Sequence, residues 1–281
     1  MSGRLVVVGT PIGNLDDLSP RATEALRGAA VVACEDTRRT GRLLSAVGIS
    51  SPEYVVVNDH TETDAARGLA ERIRGGAVVA LVTDAGMPAV SDPGQAVVAT
   101  VADAGLSIEV IPGPTAVSAA LAGSGLPSGR WVFEGFLPRK ESARHERLAE
   151  IAAERRTVVL YEAPHRVART VDDLLGVCEP ERRVALAREL TKLHEEFVRG
   201  TLADARRWLD EHEPKGEFVV VLDGAAPAPD ATDADIRAAL AEQRDTGAST
   251  RDAVAAVTAR FGVAKRRVYD LATGAGPLGD A

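Results

Sequence analysis

Cysteine and long apolar segments are the two features that this sequence most clearly lacks. Only two cysteines, Cys34 and Cys178, occur in 281 residues, and their separation suggests neither a disulfide framework nor a metal site. Cys34 lies inside an apolar run, which favours a buried thiol, and we expect a protein of the reducing cytoplasm. No apolar run approaches the ~20 residues that a membrane-spanning helix needs. The first run, Leu5–Val8, is followed at once by glycine and proline, so it predicts a strand and not a signal peptide.

Positive charge is also scarce. The chain carries 33 Lys and Arg against 41 Asp and Glu, which gives a formal net charge of −8. Because contacts to phosphate need Lys and Arg, this balance excludes a surface that binds nucleic acid everywhere, although it allows a local basic patch. There is also no P-loop, no His-Glu-x-x-His and no Gly-x-Ser-x-Gly sequence. The sequence therefore favours neither a kinase, a zinc protease nor an esterase, and it predicts no metal site.

The sequence does contain a regular alternation of apolar runs and helical stretches. Its length fits two domains of roughly 100–150 residues. Near-continuous apolar runs are typical of parallel strands that are buried on both faces. Helices between the runs are predicted to begin at caps formed by Ser19, Thr63 and Ser91. The pattern predicts an α/β fold with a mostly parallel first sheet, whose strands are Leu5–Val8, Val31–Cys34, Tyr54–Val57, Val78–Val82 and Ile108–Ile111.

A stretch rich in glycine, serine and proline divides the chain near its middle. It covers Gly123–Arg130 and predicts a boundary between an N-terminal α/β domain, residues 1–123, and a second α/β domain, residues 124–226. The second domain is expected to contain a mixed sheet. Its apolar runs are Trp131–Phe136, Thr157–Tyr161, Val184–Ala187 and Phe218–Leu222.

The C-terminal part of the chain has a different character. Pro227–Asp230 is predicted to be a linker, and residues 232–273 predict a small helical segment. One of its helices should begin with a capping box formed by Ser249 and Asp252. The tail Gly274–Ala281 is predicted to be disordered.

Four loops place glycine, proline and small polar residues directly after a predicted strand. In open α/β sheets, ligands bind outside the carboxyl ends of the strands, where glycine lets a ligand approach the backbone and proline fixes the loop. One such loop is more often an ordinary turn, but four of them in both halves predict a binding cleft between two domains. They are Gly9–Asn14, Thr83–Gly94, Pro112–Ala116 and Tyr161–Arg166.

Eight motifs of this sequence resemble those of the tetrapyrrole-methylase superfamily, and more closely those of its ribosomal RNA methyltransferases. Each motif alone is weak, but all eight stand in the family's order and cover about residues 4–224. The resemblance implies two α/β domains of tetrapyrrole-methylase type with an interdomain cleft, followed by a small C-terminal helical segment. The motifs are TPIGN at Thr10–Asn14, EDTR at Glu35–Arg38, DAGMPAVSDPG at Asp84–Gly94, PGPTA at Pro112–Ala116, GFLPRK at Gly135–Lys140, YEAPHR at Tyr161–Arg166, RELTK at Arg188–Lys192 and GEFVVVLDG at Gly216–Gly224.

The same resemblance implies that S-adenosyl-L-methionine is the cofactor and that it binds in the cleft. Small residues in the PGPTA motif would let backbone groups reach the adenosine, and an aspartate would face polar groups of the donor. For the two long apolar side chains in the set, packing in the core is a serious alternative. The residues expected to bind the donor are Pro11, Asp84, Met87, Thr115, Ala116, Tyr161, Glu162 and Leu190.

The implied reaction is methylation of a cytidine ribose 2′-hydroxyl in 16S ribosomal RNA of the small subunit. A ribose hydroxyl is a poor acid, so a base or a cation that stabilises the developing oxyanion should help. The sequence does not decide among the candidates, and charged clusters at strand ends are often only solvated ion pairs. Candidate bases are Glu35, Asp36 and Glu189, and candidate cations for oxyanion or phosphate are Arg38, Arg166, Arg188 and Lys192; His165 is expected to be structural.

The last predicted helix carries three consecutive basic residues, Lys265, Arg266 and Arg267, next to Tyr269. This combination suits phosphate contact and base stacking, although a basic triplet is more often a solvated helix face. The resemblance favours a role in RNA binding and implies a homodimer without membrane association.

Two other functions compete with this interpretation. A methyltransferase of the same superfamily that acts on a porphyrin or corrin precursor is disfavoured by the EDTR, YEAPHR and RELTK motifs and by the helical segment. A non-catalytic nucleic-acid-binding module would leave the two-domain cleft without a purpose.

Overall fold

The computed structural model describes residues 3–50, 52–226 and 231–274. The chain separates into two compact units, Met1–Ala225 and Ala226–Ala281. The predicted linker Pro227–Asp230 and the predicted tail beyond Gly274 lie outside the described residues. The first unit contains two five-stranded sheets with helices against them, so the predicted α/β class is confirmed.

The first sheet is entirely parallel, with the strand order β3-β2-β4-β1-β5. Its central strands are buried along nearly their whole length, as their apolar runs predict. Each predicted strand is found within one residue of its expected bounds. The strands are β1 (Arg4–Val8), β2 (Val31–Cys34), β3 (Glu53–Val56), β4 (Val78–Leu81) and β5 (Ser107–Ile111).

Helices connect these strands and begin at different kinds of caps. Ser19 accepts a hydrogen bond from the backbone N–H of Ala22, as predicted. The caps predicted at Thr63 and Ser91 are wrong, because Thr63 lies inside its helix and Ser91 lies in a loop before the next one. The helices are α1 (Pro20–Arg27), α2 (Thr37–Ala46), α3 (Glu62–Arg74), α4 (Gln95–Asp103) and α5 (Ala116–Ser124).

The N-terminus of α4 is capped by a side chain from α3 and not by its own flanking residue. One carboxylate oxygen of Glu62 accepts hydrogen bonds from the backbone N–H of Gly94 at 2.8 Å and of Ala96 at 2.6 Å. These are two of the donors that a helix leaves unsatisfied at its start. A long-range carboxylate therefore replaces the local cap, which sequence spacing cannot reveal.

The second sheet is mixed, with the strand order β6-β7-β10-β8-β9. β6 and β7 are parallel and the other neighbours are antiparallel. The edge strand β9 was not predicted, because its sequence contains only two consecutive apolar residues, Phe197 and Val198. The strands are β6 (Trp131–Phe136), β7 (Thr157–Glu162), β8 (Arg183–Arg188), β9 (Glu196–Thr201) and β10 (Phe218–Leu222), and the helices are α6 (Glu141–Ala153), α7 (Pro164–Leu175) and α8 (Leu202–Glu211).

The second unit consists, in its described residues, of α9 (Asp233–Asp245), α10 (Thr250–Phe261) and α11 (Lys265–Thr273) around a small apolar core. Ser249 accepts a hydrogen bond from the Asp252 N–H, which confirms half of the predicted capping box. The reciprocal bond is replaced by one from the Ser249 hydroxyl to the Asp252 carboxylate. Gly262 ends α10 in the left-handed region, with φ 63°.

Candidate functional site

A cavity of about 290 Å³ opens beside the carboxyl ends of strands from both sheets of the first unit. Loops that follow β1, β4, β5 and β7 contribute to its wall, as the four predicted loops require. The loop after β8 and the start of β10 complete it. Its lining residues are Ile12, Ala85, Gly86, Met87, Val90, Ser91, Asp92, Thr115, Ala116, Phe136, Tyr161, Glu162, Ala163, Pro164, Leu190, Glu217, Phe218 and Val219.

The loop between β4 and α4 has an unusual backbone. Ala89 and Ser91 adopt φ values of 65° and 61°, a region that residues with a Cβ seldom occupy. Paired backbone bonds between Thr10 and Gly86 hold the start of this loop, and a bond from Ala89 N to the Pro93 carbonyl closes it. A strained backbone persists only where its surroundings determine it, and such places are frequent at functional sites.

Glycines allow the loops of the cavity to touch one another. A Cβ on Gly9 would stand 2.5 Å from the Cα of Gly113 and 2.7 Å from the sulfur of Met87. A Cβ on Gly13 would stand 2.5 Å from the Cγ of Lys192. Gly9, Gly13, Met87 and Gly113 belong to loops of the first sheet, whereas Lys192 follows β8 of the second sheet. These contacts therefore bring loops of both sheets together.

Six of the eight residues predicted to bind the donor line this one cavity. The two others, Pro11 and Asp84, do not line it among the described residues, but their neighbours Ile12 and Ala85 do. Thr115 caps α5 by accepting a hydrogen bond from the Ser118 N–H. The six are Met87, Thr115, Ala116, Tyr161, Glu162 and Leu190.

The Asp84 side chain contacts the segment that follows β2. Its carboxylate accepts a hydrogen bond from the Asp36 N–H at 3.2 Å and pairs with Arg39 at 3.4 Å. Burial raises the pKa of Glu35, and the charge of Asp84 adds to that effect. The pKa of Asp36 is lowered to about 2 by hydrogen bonds from Arg38, whose own side chain is 84% exposed. Two of the candidate bases, Glu35 and Asp36, thus differ sharply in basicity.

Glu189 and Lys192 form a charged cluster with Glu217, which itself lines the cavity. The Lys192 ammonium contacts Glu189 at 2.8 Å and Glu217 at 2.9 Å. Burial pushes the Lys192 pKa down, but the hydrogen bonds to both carboxylates outweigh it and raise that pKa. The hydrogen bond from Lys192 lowers the pKa of Glu189. The pair is therefore charged, and Lys192 reaches the cavity wall through its contact with Glu217.

Glu162 is buried and fully engaged inside the second sheet. Its side chain is 0% exposed, pairs with Arg166 at 3.2 Å and accepts a hydrogen bond from the Thr170 hydroxyl at 2.6 Å. Arg166 also donates to the Leu137 carbonyl at 2.7 Å. The buried Arg144 donates to Thr170 at 2.9 Å and extends the network. This arrangement gives Arg166, a predicted RNA contact, internal partners.

The remaining predicted RNA contacts fall into separate places. Arg188 in the first unit pairs with Glu196 at 2.6 Å and stacks over the Trp208 ring at 5.8 Å. In the second unit, Arg267 pairs with Asp233 at 2.7 Å, whereas Lys265 and Arg266 are exposed on α11.

Twelve of the eighteen lining residues were not predicted to bind a ligand, and Asp92 and Phe136 are among these twelve. Asp92 lies within the long motif after β4, and Phe136 is 51% exposed while lining the cavity. In the sequence, only their position within a motif pointed to these two residues, because their neighbours in the cavity come from distant segments.

Among the described helices, none is both long and apolar enough to cross a membrane. Within residues 3–50, 52–226 and 231–274, no group of three or more His, Cys, Asp or Glu is arranged to hold a metal ion.

Comparisons with known proteins agree with this fold. Residues 4–206 match the family described as Tetrapyrrole (Corrin/Porphyrin) Methylases. The chain is 42% identical over 271 residues to ribosomal RNA small subunit methyltransferase I of Synechocystis sp., across 96% of this chain and 97% of that protein. It is 44% identical over 274 residues to the protein of the same name from Mycobacterium tuberculosis, across 96% and 94%. A solved structure, uroporphyrin-III-C-methyltransferase from Thermus thermophilus, matches with TM-score 0.54 and 25% identity, across 78% of this chain and 94% of that one.

Proposed function

Because the chain belongs to the tetrapyrrole methylase family, we propose that it methylates the 2′-hydroxyl of a cytidine in 16S ribosomal RNA. It is a methyltransferase, and its cofactor is S-adenosyl-L-methionine. The observation that carries the RNA substrate is the similarity to relatives named for ribosomal RNA methylation, which extends over 96% of the chain. A porphyrin or corrin acceptor is less well supported, because those relatives are 40–44% identical whereas the porphyrin enzyme is 25% identical.

The cavity fits the proposed donor. Met87 and Leu190 offer apolar contact, and the small Ala116 leaves room beside the start of α5. Gly86, with φ 87°, lets the backbone approach a ligand without a side chain in between. When bound, S-adenosyl-L-methionine supplies an electrophilic methyl group on a sulfonium. The protein must hold the acceptor oxygen ~3–3.5 Å from that carbon and in line with the sulfur.

The proposal assigns a role to each segment of the chain. Residues 1–123 and 124–226 act as the two domains that enclose the donor, and residues 232–273 contact RNA through Lys265, Arg266 and Arg267. Lys192, Arg38 and Arg188 are the proposed cations of the first unit for the phosphates or the developing oxyanion. The protein acts as a homodimer on the small ribosomal subunit in the cytoplasm.

Next to the cavity, one short segment suits an RNA strand. Phe136 is half exposed and lines the cavity, and Arg139 and Lys140 follow it with exposed side chains. In the part of the chain that the structure describes, neither cation forms an ion pair, so both are available to phosphates. An exposed aromatic ring is a surface on which a base can stack.

Reversing these two charges should weaken RNA binding without affecting the donor. For the double variant Arg139→Glu/Lys140→Glu we expect the KM for RNA to rise about tenfold, ~1.4 kcal/mol, and the salt dependence of RNA binding to fall. Arg67→Glu/Arg74→Glu, a matched reversal of two exposed charges on α3, should leave the KM unchanged. Equal effects of the two double variants would show that only total charge matters.

The proposed function is tested with small subunits from a strain that lacks this gene. The purified protein and methyl-labelled S-adenosyl-L-methionine are added, the RNA is digested, and nucleosides are identified by mass spectrometry. We expect one new 2′-O-methylated cytidine in 16S RNA. Label in a base or in no RNA, while donor binding is intact, would refute the proposal and direct the search to porphyrin and corrin acceptors.

A further inference from the structure

Three carboxylates line the cavity, and they differ in their ion-pair and hydrogen-bond partners. Glu162 is held by Arg166 and Thr170, and Glu217 is paired with Lys192. Asp92, by contrast, has no arginine or lysine within ion-pair distance among the described residues, although it is partly buried. Asp92 is therefore the cavity carboxylate whose charge no described cation neutralises.

The groups around Asp92 are mainly acidic. Glu35 from the end of β2, Asp59 from beyond β3 and Asp84 from the end of β4 all oppose its ionisation. Burial, and then the charge of Glu35, raise the pKa of Asp92 to about 6. Arg39, whose charge lowers the pKa of Glu35, is itself paired with Asp84. A carboxyl group with such a pKa is a stronger base than an ordinary aspartate and is still ionised at neutral pH.

Asp92 also faces the second sheet across the cavity. Tyr161 lies in β7, and its pKa is raised to about 12 by burial and then by the charge of Asp92. The phenol is therefore neutral at physiological pH. The cavity is thus bordered by the Asp92 carboxylate, from a loop of the first sheet, and by the Tyr161 ring, from the second sheet.

The backbone holds Asp92 firmly in this position. Its neighbour Ser91 and the nearby Ala89 adopt left-handed φ values, and Glu62 anchors the end of the loop through Gly94. A side chain on a strained loop that several contacts hold in place is well suited to a role that requires fixed geometry.

We propose that Asp92 is the proton acceptor of the methyl transfer, a proposal that rests on the proposed function. The O–H bond of the ribose 2′-hydroxyl breaks and its proton passes to the Asp92 carboxylate. The oxygen's electron pair forms the bond to the methyl carbon, and the carbon–sulfur bond breaks with its electrons on sulfur. The products are the 2′-O-methyl ribose, S-adenosylhomocysteine and protonated Asp92, which then loses its proton to water.

The other candidate bases suit this step less well. Asp36 has a pKa of about 2, and hydrogen bonds from Lys192 lower the pKa of Glu189, so both are weak bases. Neither lines the cavity among the described residues, and the same holds for Glu35. Glu35 instead contributes the negative charge that makes Asp92 more basic.

The test compares Asp92→Asn, Asp92→Glu and wild type in single-turnover methylation of small subunits from pH 5 to 9. In wild type the rate should rise with pH through about 6 and then level off, because only ionised Asp92 accepts the proton. Asp92→Asn should lose about 100-fold or more of the rate together with this pH dependence, whereas Asp92→Glu should retain part of both. Donor Kd should change less than threefold in both variants.

A second readout does not depend on activity. The folded-state pKa of Asp92 lies above its ordinary value of 3.8, so ionisation destabilises the fold as pH rises through about 6. Asp92→Asn should therefore have a higher Tm than wild type at pH 8 and a similar Tm at pH 4. Asp103→Asn, at an exposed position at the end of α4, should change neither Tm nor rate.

The possible failures can be told apart. Loss of donor binding in Asp92→Asn would make Asp92 a donor ligand and overturn the proposal. An unchanged rate in Asp92→Asn, with wild type active on RNA, would overturn the role of Asp92 and leave the proposed function standing. No methylation of RNA by wild type would overturn both.

Discussion

Replacing Ala116 by phenylalanine should abolish donor binding while the protein remains folded. Ala116 is the first residue of α5 and lines the cavity, so a phenyl ring at this position would occupy space that the donor needs. We expect the Kd for S-adenosyl-L-methionine to rise at least ~100-fold, about 2.8 kcal/mol. Isothermal titration calorimetry of the variant and of wild type measures this change directly.

Two controls separate a blocked cavity from a damaged fold. The Tm of Ala116→Phe, measured without donor, should stay close to that of wild type, because the ring enters existing space. Ala102→Phe carries the same change at an exposed position on α4 and should bind the donor normally. A Kd for Ala116→Phe within threefold of wild type would mean that the donor binds elsewhere.

The largest loss of stability is expected for Arg166→Met. This change leaves the fully buried Glu162 carboxylate without its cation and removes the hydrogen bond that Arg166 donates to the Leu137 carbonyl. Breaking a buried ion pair on one side costs about 3–5 kcal/mol, because the remaining charge is uncompensated. Urea denaturation monitored by circular dichroism should show a correspondingly lower free energy of unfolding.

A double variant shows whether the buried charge is the cause. Glu162→Gln/Arg166→Met should be more stable than Arg166→Met alone, because it removes the unpaired carboxylate and keeps an acceptor for Thr170. The exposed Arg38→Met should cost less than ~0.5 kcal/mol. If Arg166→Met were as stable as wild type but bound RNA weakly, Arg166 would contact RNA, as its motif predicts.

Sequence reasoning located most of the secondary structure for a physical reason that acts locally. Runs of apolar residues are typical of strands in a parallel sheet, and five such runs marked β1 to β5 within one residue. Glycine and proline after strands marked the loops at the cavity, and six of the eight proposed donor residues meet there. Edge strand β9 escaped prediction because only two of its residues, Phe197 and Val198, are consecutive and apolar, whereas the edge strand β3 contains a longer apolar run.

Other properties depend on segments that are distant in the chain. Glu62 caps α4 from 32 positions away, and Arg166 turns toward Leu137, 29 positions away. The basicity of Asp92 arises from burial and from carboxylates at the ends of other strands. The sequence by itself determined the α/β class and every strand except β9, because burial and turn formation follow from residues close together, and its motifs determined the family. Only the tertiary structure decided which charges are paired and which carboxylate faces the cavity, because Coulomb interactions and desolvation depend on distances in space.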